Sequence, residues 1–291
     1  MYRHIAINGE LGSGKSTVAK RLAQDLDMRY ISTGDIHRSI AASLDLSTLE
    51  ANLRAEHDAM IDARVDGVTI SLADSEDPIV FDSRLAWKFV ESAFKVHLVV
   101  DPAVSARRLH DRQGSVAEAY LSVEDAERGA EDRYQSEYRR FLVKYDADVS
   151  FLKNYHLVID TSDASIDEVV SLISYSFQQT ATESVLLNLS PRRIIPGVKV
   201  DQAEIGANWI RPAVGYARPF FFFLTGYTSV VEALRKKQSL MEAILAAEGG
   251  EEVTPGVSAI DFVNKNLSAE MVDSWELMNN IRFETRPIRL P

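Results

Sequence analysis

The sequence predicts an α/β protein, in which a parallel sheet is covered by helices and followed by a smaller α+β domain. Short apolar runs alternate with amphipathic stretches through the first 180 residues, which is typical of strand–helix–strand units. A polar stretch at residues 178–184 then precedes a remainder rich in proline and aromatic residues. A chain of 291 residues is long enough for two folded domains. We therefore predict one domain over residues 1–178 and a second over residues 184–291.

The spacing of apolar residues predicts the elements of the first domain. A buried strand is a short continuous apolar run, whereas a helix repeats its apolar face every turn. Strands are predicted at residues 4–7, 29–31, 79–81, 95–100 and 156–159. Helices are predicted at residues 16–26, from about 35, after the Asp101-Pro102 signal and at 165–177. Alternation at residues 68–72 predicts an exposed or edge strand, and the charged stretch 50–66 predicts a helix.

The second domain shows fewer clear elements. The apolar run at residues 220–224 has the length of a strand. One helix is predicted from about residue 229 to residue 247, where Gly249 and Gly250 would end it.

The composition excludes several classes of protein. With 46% hydrophobic and 26% charged residues, the chain is typical of folded soluble proteins, and the lack of cysteine excludes disulfides and thiolate chemistry. No run of about 18 apolar residues indicates a membrane span, so we expect no membrane partner and a cytoplasmic location. The net charge of −11, of which −10 falls in residues 1–180, argues against a protein that coats nucleic acid.

A glycine-rich loop follows the first predicted strand and opens the first predicted helix. Residues 9–16 read Gly-Glu-Leu-Gly-Ser-Gly-Lys-Ser, which satisfies the P-loop pattern. The glycines let backbone N–H groups point at a phosphate, and the helix N-terminus adds positive charge. Lys15 would reach the β- and γ-phosphate oxygens, and the Ser16 hydroxyl would ligate Mg²⁺. The context of strand, loop and helix therefore predicts nucleotide binding.

Further charged segments follow the later strands. Thr33, Asp35 and Arg38 come after the second strand, and Asp82 and Arg84 come at the end of the third. Helix capping is the structural alternative for Thr33 or Asp35. A solvated helix face is the alternative for the arginines that follow the fourth strand, because acidic residues lie between them. Phosphoryl transfer nevertheless needs such cations around the moving group. These arginines include Arg108, Arg112, Arg128 and Arg133.

The order of these motifs resembles the cytidylate kinase-like branch of the nucleoside monophosphate kinases. The matching segments span residues 1–178 and read GELGSGKSTVAKRLA, YISTGDIHR, VFDSRLAW, VHLVVDPAVSARRLHDR, AERGAEDRYQSEYRRFLVKYDAD and YHLVIDT. The resemblance implies a P-loop kinase core with a five-stranded parallel sheet and a mobile helical lid. It also implies ATP and Mg²⁺ as cofactors and a nucleotide or nucleotide-like acceptor.

The resemblance also implies a role for individual residues. The ATP phosphates would be held by Gly9, Gly12, Ser13, Gly14, Lys15, Ser16 and Thr17, with Arg108 and Arg112 leading into the lid. The catalytic residues would be Lys15, Asp82, Arg84, Arg128 and Arg133, of which the last two are lid arginines. Mg²⁺ would be held by Ser16 and Asp82. The acceptor would be bound by Thr33, Asp35, Arg38, Asp146 and Asp160.

Two departures from the family pattern concern the acceptor. Ser83 replaces the glycine of the family's Asp-Gly-Arg, and Leu85 stands where bacterial enzymes that phosphorylate CMP usually carry an acid. The insert around residues 50–66 is short and unfamiliar. The sequence therefore predicts a kinase more firmly than it predicts cytidylate as the acceptor.

The second domain loosely resembles the ParB/sulfiredoxin-like family at residues 187–196, 209–214 and 222–234. Tyr227 and Thr228 replace the His-Arg of that family's Gly-His-Arg turn. Aromatic and cationic residues alternate there, a mixture suited either to stacking on bases or to an ordinary core. They are Trp209, Arg211, Tyr216, Arg218 and Tyr227.

Three functions remain open at this point. The first is an ATP-dependent kinase of a nucleotide or nucleotide-like metabolite. The second is a kinase of a hydroxymethylated pyrimidine base in DNA, with the second domain binding the DNA. The third is a non-catalytic ATP-binding regulator. The sequence leaves open whether the chain forms a homo-oligomer.

Overall fold

The computed structural model describes residues 2–44, 59–112, 120–179, 184–199, 210–288 and 290. The chain divides into two compact units. Unit 1 comprises Met1–Val149, Asn154–His156 and Ser165–Ala181, and unit 2 comprises Ser150–Lys153, Leu157–Ala164 and Thr182–Pro291. Each unit is therefore made of three separate segments of the chain. The domain boundary near residues 178–184 stays a prediction.

Unit 1 is built on four parallel strands. They are β1 (His4–Gly9), β2 (Arg29–Ser32), β3 (Ile79–Asp82) and β4 (Ala93–Val99), in the order β2-β3-β1-β4. The central strand β1 pairs in parallel with both neighbours, with Ile5 opposite Val80 and Ile7 opposite Val96. All six residues of β1 are buried, which is consistent with the apolar run at its centre, Ile5 to Ile7.

Seven helices of unit 1 are described. They are α1 (Lys15–Asp25), α2 (Thr33–Ser43), α3 (Ala59–Ser71), α4 (Ala86–Phe89), α5 (Pro102–His110), α6 (Val123–Tyr145) and α7 (Ile166–Gln178). Their starts follow from local chemistry: the Asp101 side chain accepts the N–H groups of Ala103 and Val104, and Ser165 forms a capping box with Glu168. The start predicted at Asp101-Pro102 is therefore confirmed.

The exposed or edge strand predicted at residues 68–72 is wrong, because residues 68–71 form the last turn of helix α3. The apolar members of the alternation, Val68 and Ile70, are 37% and 53% exposed, whereas Thr69 between them is buried. The alternating apolar residues therefore do not form the buried face of a strand. Helix α3 agrees with the charged helix predicted at residues 50–66 where the two overlap. Residues 50–58 of that prediction lie outside the described residues.

Unit 2 has a mixed sheet of six strands among its described residues. They are β5 (Leu157–Asp160), β6 (Leu186–Leu189), β7 (Ile194–Pro196), β8 (Ala213–Ala217), β9 (Phe220–Phe223) and β10 (Met241–Glu248), in the order β5-β6-β10-β8-β9-β7. The pair β5–β6 is parallel, while β6–β10 and β8–β9 are antiparallel. The fifth predicted parallel strand therefore forms, as β5, and it lies in unit 2.

The remaining elements of unit 2 make it an α+β unit, as predicted. They are a hairpin of β11 (Glu252–Thr254) with β12 (Val257–Ser258) and the helices α8 (Tyr227–Arg235), α9 (Ala259–Asn266) and α10 (Ala269–Asn279). Within the described ranges, no helix combines the length and apolar character that crossing a bilayer requires.

The single helix predicted at residues 229–247 is wrong in its second half. Helix α8 ends at Arg235, and Lys237 adopts a positive φ of 54°, which cannot continue a right-handed helix. The chain then forms β10, where Met241 and Ala243 are buried and Glu242 is exposed between them. The alternation of buried and exposed residues in β10 was not evident from the sequence, because its alanines fit a helix as well as a strand.

Two aromatic residues of the set predicted in the second domain, Tyr216 and Tyr227, pack against other rings of unit 2. Tyr216 is buried and stacks on Phe221 at 4.5 Å, and the ring of Tyr227 meets Trp275 edge to face at 5.4 Å. Arg211 is exposed and pairs with Glu242 at 2.7 Å. Trp209 lies outside the described residues.

Candidate active site

A cavity of about 270 Å³ opens in unit 1 where the parallel strands end. The residues that follow β1 line it, as do Ser32 at the end of β2 and Asp82 at the end of β3. Helices α2, α3 and α6 complete its walls. The carboxyl ends of parallel strands are where open α/β sheets bind ligands, because the connecting loops diverge there.

The P-loop has the backbone geometry that its glycines permit. Gly12 and Gly14 adopt positive φ angles of 74° and 78°, and Gly14 caps the N-terminus of α1. A Cβ on Gly12 would lie 2.6 Å from the Ser105 Oγ, so helix α5 packs directly behind the loop. The Ser105 hydroxyl donates to the carbonyl of Leu11 at 2.7 Å, and Arg108 donates to the carbonyl of Gly12 at 3.1 Å. The loop is thus held in shape from α5.

Lys15 and Asp82 form an ion pair inside the cavity. Asp82 also accepts a hydrogen bond from the Tyr30 hydroxyl at 2.9 Å. Burial raises the pKa of the Asp82 carboxyl, but the Lys15 ammonium and the hydrogen bonds to the carboxylate outweigh burial and hold this pKa below its usual value. Asp82 is therefore an anion that fixes the ammonium of the P-loop.

The remaining predicted P-loop residues differ in their access to the cavity. Ser16 lines it and hydrogen-bonds the Asp82 carboxylate. Gly9 and Ser13 are not among the lining residues and lie close to each other, since a Cβ on Gly9 would be 2.8 Å from the Ser13 Oγ. Thr17 is exposed in the first turn of α1 and is not among the lining residues. The sequence could not separate these roles, because all of these residues belong to one motif.

Two arginines of the cavity share one carboxylate that sequence reasoning missed. Glu137 on α6 lies 3.3 Å from the Nε of Arg84 and accepts from the Nε of Arg133 at 2.9 Å. Burial raises the pKa of Glu137, but the surrounding guanidinium groups lower it further, so the pKa lies below its usual value. Arg140, one turn further along α6, also lines the cavity. The signal was present as the spacing Arg133, Glu137, Arg140, which places three residues on one helix face.

The two predicted lid arginines differ in whether they reach the cavity. Arg133 lines the cavity, whereas Arg128 is 74% exposed and pairs with Asp125 at 3.2 Å. The prediction for Arg128 is therefore not supported by its position, because five residues rotate it by about 140° around the helix from Arg133. Of the two arginines expected to lead into the lid, Arg112 lines the cavity and Arg108 contacts the P-loop carbonyl of Gly12.

Helix α2 brings the predicted acceptor arginine to the cavity. Arg38 lines it and pairs with Asp35, while Asp35 itself is not among the lining residues. The N-cap of α2 is Ser32, whose hydroxyl accepts the N–H of Asp35 at 3.1 Å, so neither Thr33 nor Asp35 is the cap that the structural alternative proposed. The Thr33 hydroxyl donates to the carbonyl of Asp82 at 3.4 Å and thereby ties α2 to the end of β3.

Asp146 and Asp160 are not brought to the cavity. Asp146 is the exposed C-cap of α6 with a positive φ of 49°, and its carbonyl accepts from Lys88. Asp160 belongs to unit 2, where it is fully buried and lies 3.3 Å from the Nη1 of Arg193. Both were placed at the acceptor by resemblance alone, and the structure gives each a different local role.

A second group of cavity residues also went unpredicted. Tyr145 at the end of α6 hydrogen-bonds to Asp66 on α3, and Phe89 and Phe141 lie beside it. The sequence held no clear signal for this contact, because Tyr145 and Asp66 are 79 residues apart in the chain.

Oxygen donors for a divalent cation are present beside the P-loop. The Ser16 hydroxyl and the Asp82 carboxylate are hard ligands of the type that Mg²⁺ prefers. In the part of the chain that the structure describes, no group of three or more His, Asp or Glu residues could hold a metal ion. These two residues therefore fit a cation that takes its other ligands from phosphate and water.

The glycine-rich loop with its lysine, facing several arginines across one cavity, defines a P-loop phosphotransferase. The AAA domain family matches residues 5–131. The cytidylate kinase of Natronomonas pharaonis is 39% identical over 171 residues, covering 58% of this chain and 86% of that protein. The cytidylate kinase of Aeropyrum pernix is 41% identical, covering 57% of this chain and 94% of that protein. The chain therefore belongs to the cytidylate kinase family and is an ATP-dependent kinase.

Solved structures of kinases also resemble the chain. The shikimate kinase of Bacteroides thetaiotaomicron matches with a TM-score of 0.44 and 16% identity, covering 62% of this chain and 100% of that one. The shikimate kinase of Aquifex aeolicus matches with a TM-score of 0.38 and 15% identity, covering 60% of this chain and 96% of that one.

Proposed function

We propose that the chain transfers the γ-phosphoryl group of ATP, bound with Mg²⁺, to the phosphate of a nucleoside monophosphate, with CMP as the first candidate. The observation that carries this proposal is that Lys15, Arg38 and Arg133 line one cavity of unit 1. A donor phosphate and an acceptor phosphate both need cations, and the P-loop alone would serve only the donor.

The donor side is supplied by the P-loop and its helix. Backbone N–H groups and the N-terminus of α1 favour the β-phosphate, and Lys15 reaches the oxygens beyond it. Asp82 would hold this ammonium in place until the phosphates arrive. Ser16 and Asp82 would hold Mg²⁺, which when bound neutralises charge on the phosphate oxygens.

The acceptor side needs binding and orientation more than a catalytic base. A phosphate monoester has a second pKa of about 6, so the attacking oxygen is already ionised at neutral pH. In the reaction a bond forms between this oxygen and the γ-phosphorus, and the bond to the β–γ bridging oxygen breaks. ADP leaves with the electron pair. Arg38 would hold the acceptor phosphate while Arg84 and Arg133 neutralise charge on the phosphoryl group in transit.

Transfer of labelled γ-phosphate to a panel of acceptors tests the proposal. We expect label on CMP or a related monophosphate, with ribo- and deoxynucleotides compared side by side. Single- and double-stranded DNA bearing hydroxymethylated pyrimidines belongs in the same panel. Label on DNA alone would contradict the proposal and favour the DNA-directed alternative.

Lys15→Met should lower kcat/KM for transfer by about 10²- to 10³-fold, the usual cost of removing one preorganised charge donor from a transition state. Lys20→Met is the matched control, because Lys20 lies exposed on the same helix and is not among the lining residues. Equal activity of the Lys15→Met variant and the wild type, both folded, would contradict the role given to the P-loop.

A further inference from the structure

Glu137 on helix α6 holds two arginines of the cavity through different oxygens. Its Oε1 accepts from the Nε of Arg133, one turn earlier on the same helix, at 2.9 Å. Its Oε2 lies 3.3 Å from the Nε of Arg84, which follows β3 in the chain. All three residues line the cavity. One carboxylate therefore joins the segment after β3 to helix α6.

The backbone around Arg84 is held by the start of helix α4. The Ser83 hydroxyl accepts the N–H of Ala86 at 3.1 Å, and the carbonyl of Arg84 accepts from the indole N–H of Trp87 at 3.0 Å. An arginine side chain has many rotamers even on a fixed backbone. The contact with Glu137 therefore sets where the guanidinium group of Arg84 lies relative to α6.

Both contacts engage Nε, the guanidinium nitrogen nearest the arginine backbone. Nε supplies only one of the N–H donors of a guanidinium. Because the group is planar and rigid, fixing Nε also limits the directions of the Nη donors. The Nη donors are the ones that extend furthest toward a ligand, and charged hydrogen bonds of this kind bind phosphate strongly.

Glu137 also keeps two like charges close together. Its side chain is 15% exposed, and those of Arg84 and Arg133 are 23% and 34% exposed, so water screens their charges incompletely. Two guanidinium groups without a shared anion would repel each other. Burial raises the pKa of Glu137, but the arginine charges lower it below its usual value, so the carboxyl is ionised at neutral pH.

We propose that Glu137 is a positioning residue for phosphoryl transfer, which holds Arg84 and Arg133 together so that both meet the phosphoryl group in transit. This inference rests on the proposed function and assigns a role to a residue that acts through the two arginines. The arginines belong to different elements, so the bridge sets their separation before the reaction begins. Less reorganisation is then needed when charge develops in the transition state.

Glu137→Gln tests this proposal by steady-state kinetics with ATP and the monophosphate that the acceptor panel labels. The amide has one acceptor oxygen and presents an N–H donor to the second guanidinium, so the bridge is lost. We expect kcat to fall by about 10- to 10²-fold, since a misplacement of about 1 Å can cost as much as 10²-fold. Both KM values should stay within about threefold, because the lost arrangement is used in the transition state.

Glu127→Gln serves as the control on the same helix. Glu127 is exposed and does not line the cavity, so this change should leave kcat within about twofold of the wild type.

A second arm asks whether Glu137 acts through the arginines. In an Arg133→Met background, Glu137→Gln should lower kcat by less than about threefold, because one of the two side chains that it positions is gone. Glu137→Asp keeps the charge on a shorter side chain and should lower kcat by a smaller factor than Glu137→Gln. If Glu137→Gln does not fold, as judged by circular dichroism, Glu137→Asp provides the same comparison of kcat with KM.

Unchanged kcat in folded Glu137→Gln would overturn the inference while the proposed function stands. A loss of the same size in the wild-type and Arg133→Met backgrounds would also overturn it, because the effect would then not pass through Arg133. The same holds for a loss confined to KM, which would indicate a role in substrate binding alone. If the wild type phosphorylates no monophosphate, the proposed function fails and this inference fails with it.

Discussion

Asp82 in unit 1 and Asp160 in unit 2 occupy the same position in the local sequence pattern but differ in their surroundings. Each is the last residue of a short, fully buried strand, β3 or β5. Asp82 pairs with Lys15, whose side chain keeps 17% exposure in the cavity. Asp160 pairs with Arg193, whose side chain is 1% exposed and whose guanidinium also lies 5.7 Å over the Phe221 ring.

The pKa values of the two carboxyls are shifted in opposite directions. Burial raises the pKa of Asp160, and the Arg193 charge and the Ser162 hydrogen bonds offset only part of that rise. For Asp82 the cation and hydrogen bonds outweigh burial, and the pKa is lowered. An acid at the end of a strand is therefore not a site residue by position alone. What matters is whether its cation is open to a ligand.

The largest expected effect is on stability, from Asp160→Asn. It leaves the Arg193 charge buried without a carboxylate, and breaking a buried pair in this way costs about 3–5 kcal/mol. The free energy of unfolding, from urea titration of the full chain, measures this. Arg193→Met in the same chain should restore part of the loss, because the uncompensated charge is then gone. Unchanged stability together with a raised KM for the acceptor would break the comparison and return Asp160 to the acceptor site.

The next effect is on activity, from Asp82→Asn. We expect kcat/KM for phosphoryl transfer to fall by about 10²-fold, because the change releases the Lys15 ammonium and removes the anionic oxygen that we propose as a Mg²⁺ ligand. Steady-state kinetics at saturating Mg²⁺ measure this, with Asp77→Asn as an exposed control on the loop before β3. Full activity in folded Asp82→Asn would show that this ion pair, like that of Asp160, is structural.

The smallest effect concerns Glu248, a buried carboxyl of unit 2 that accepts two backbone N–H groups, from Leu152 at 2.6 Å and Lys153 at 3.0 Å. Burial raises the pKa of Glu248 to about 7 from an ordinary value of 4.5, although these hydrogen bonds oppose the rise. The native state thus keeps a proton that the unfolded state has lost. Glu248 therefore makes the free energy of unfolding fall as pH rises from about 4.5 to about 7.

Urea midpoints at several pH values across this window measure the effect. Glu248→Gln should flatten the decline, because the amide does not titrate, whereas the exposed Glu252→Gln should leave it unchanged. The same decline in wild type and Glu248→Gln would show that Glu248 is ionised in the native state, as Asp82 is. The contrast between Asp82 and Asp160 would then no longer explain which buried carboxylates are ionised in the native state.

Local pattern was sufficient for most of the first unit. The strand–loop–helix around Lys15, the four strands of unit 1 and the helix start at Asp101 depend on residues close together in sequence, so their spacing already contains the information. The predictions at residues 68–72 and 229–247 failed because alternating or alanine-rich stretches fit more than one backbone. Which conformation forms there depends on burial against the rest of the chain.

By itself, the sequence determined that the chain carries a phosphate-binding loop and that arginines follow in the segments expected of a kinase. Only the tertiary structure decided which of these groups meet. It directs Arg133 into the cavity and Arg128 away from it, pairs Asp160 with Arg193, and joins Asp66 to Tyr145. The physical reason is that a side chain's direction and burial depend on contacts between residues far apart in the chain, and a motif specifies residue types without specifying those contacts.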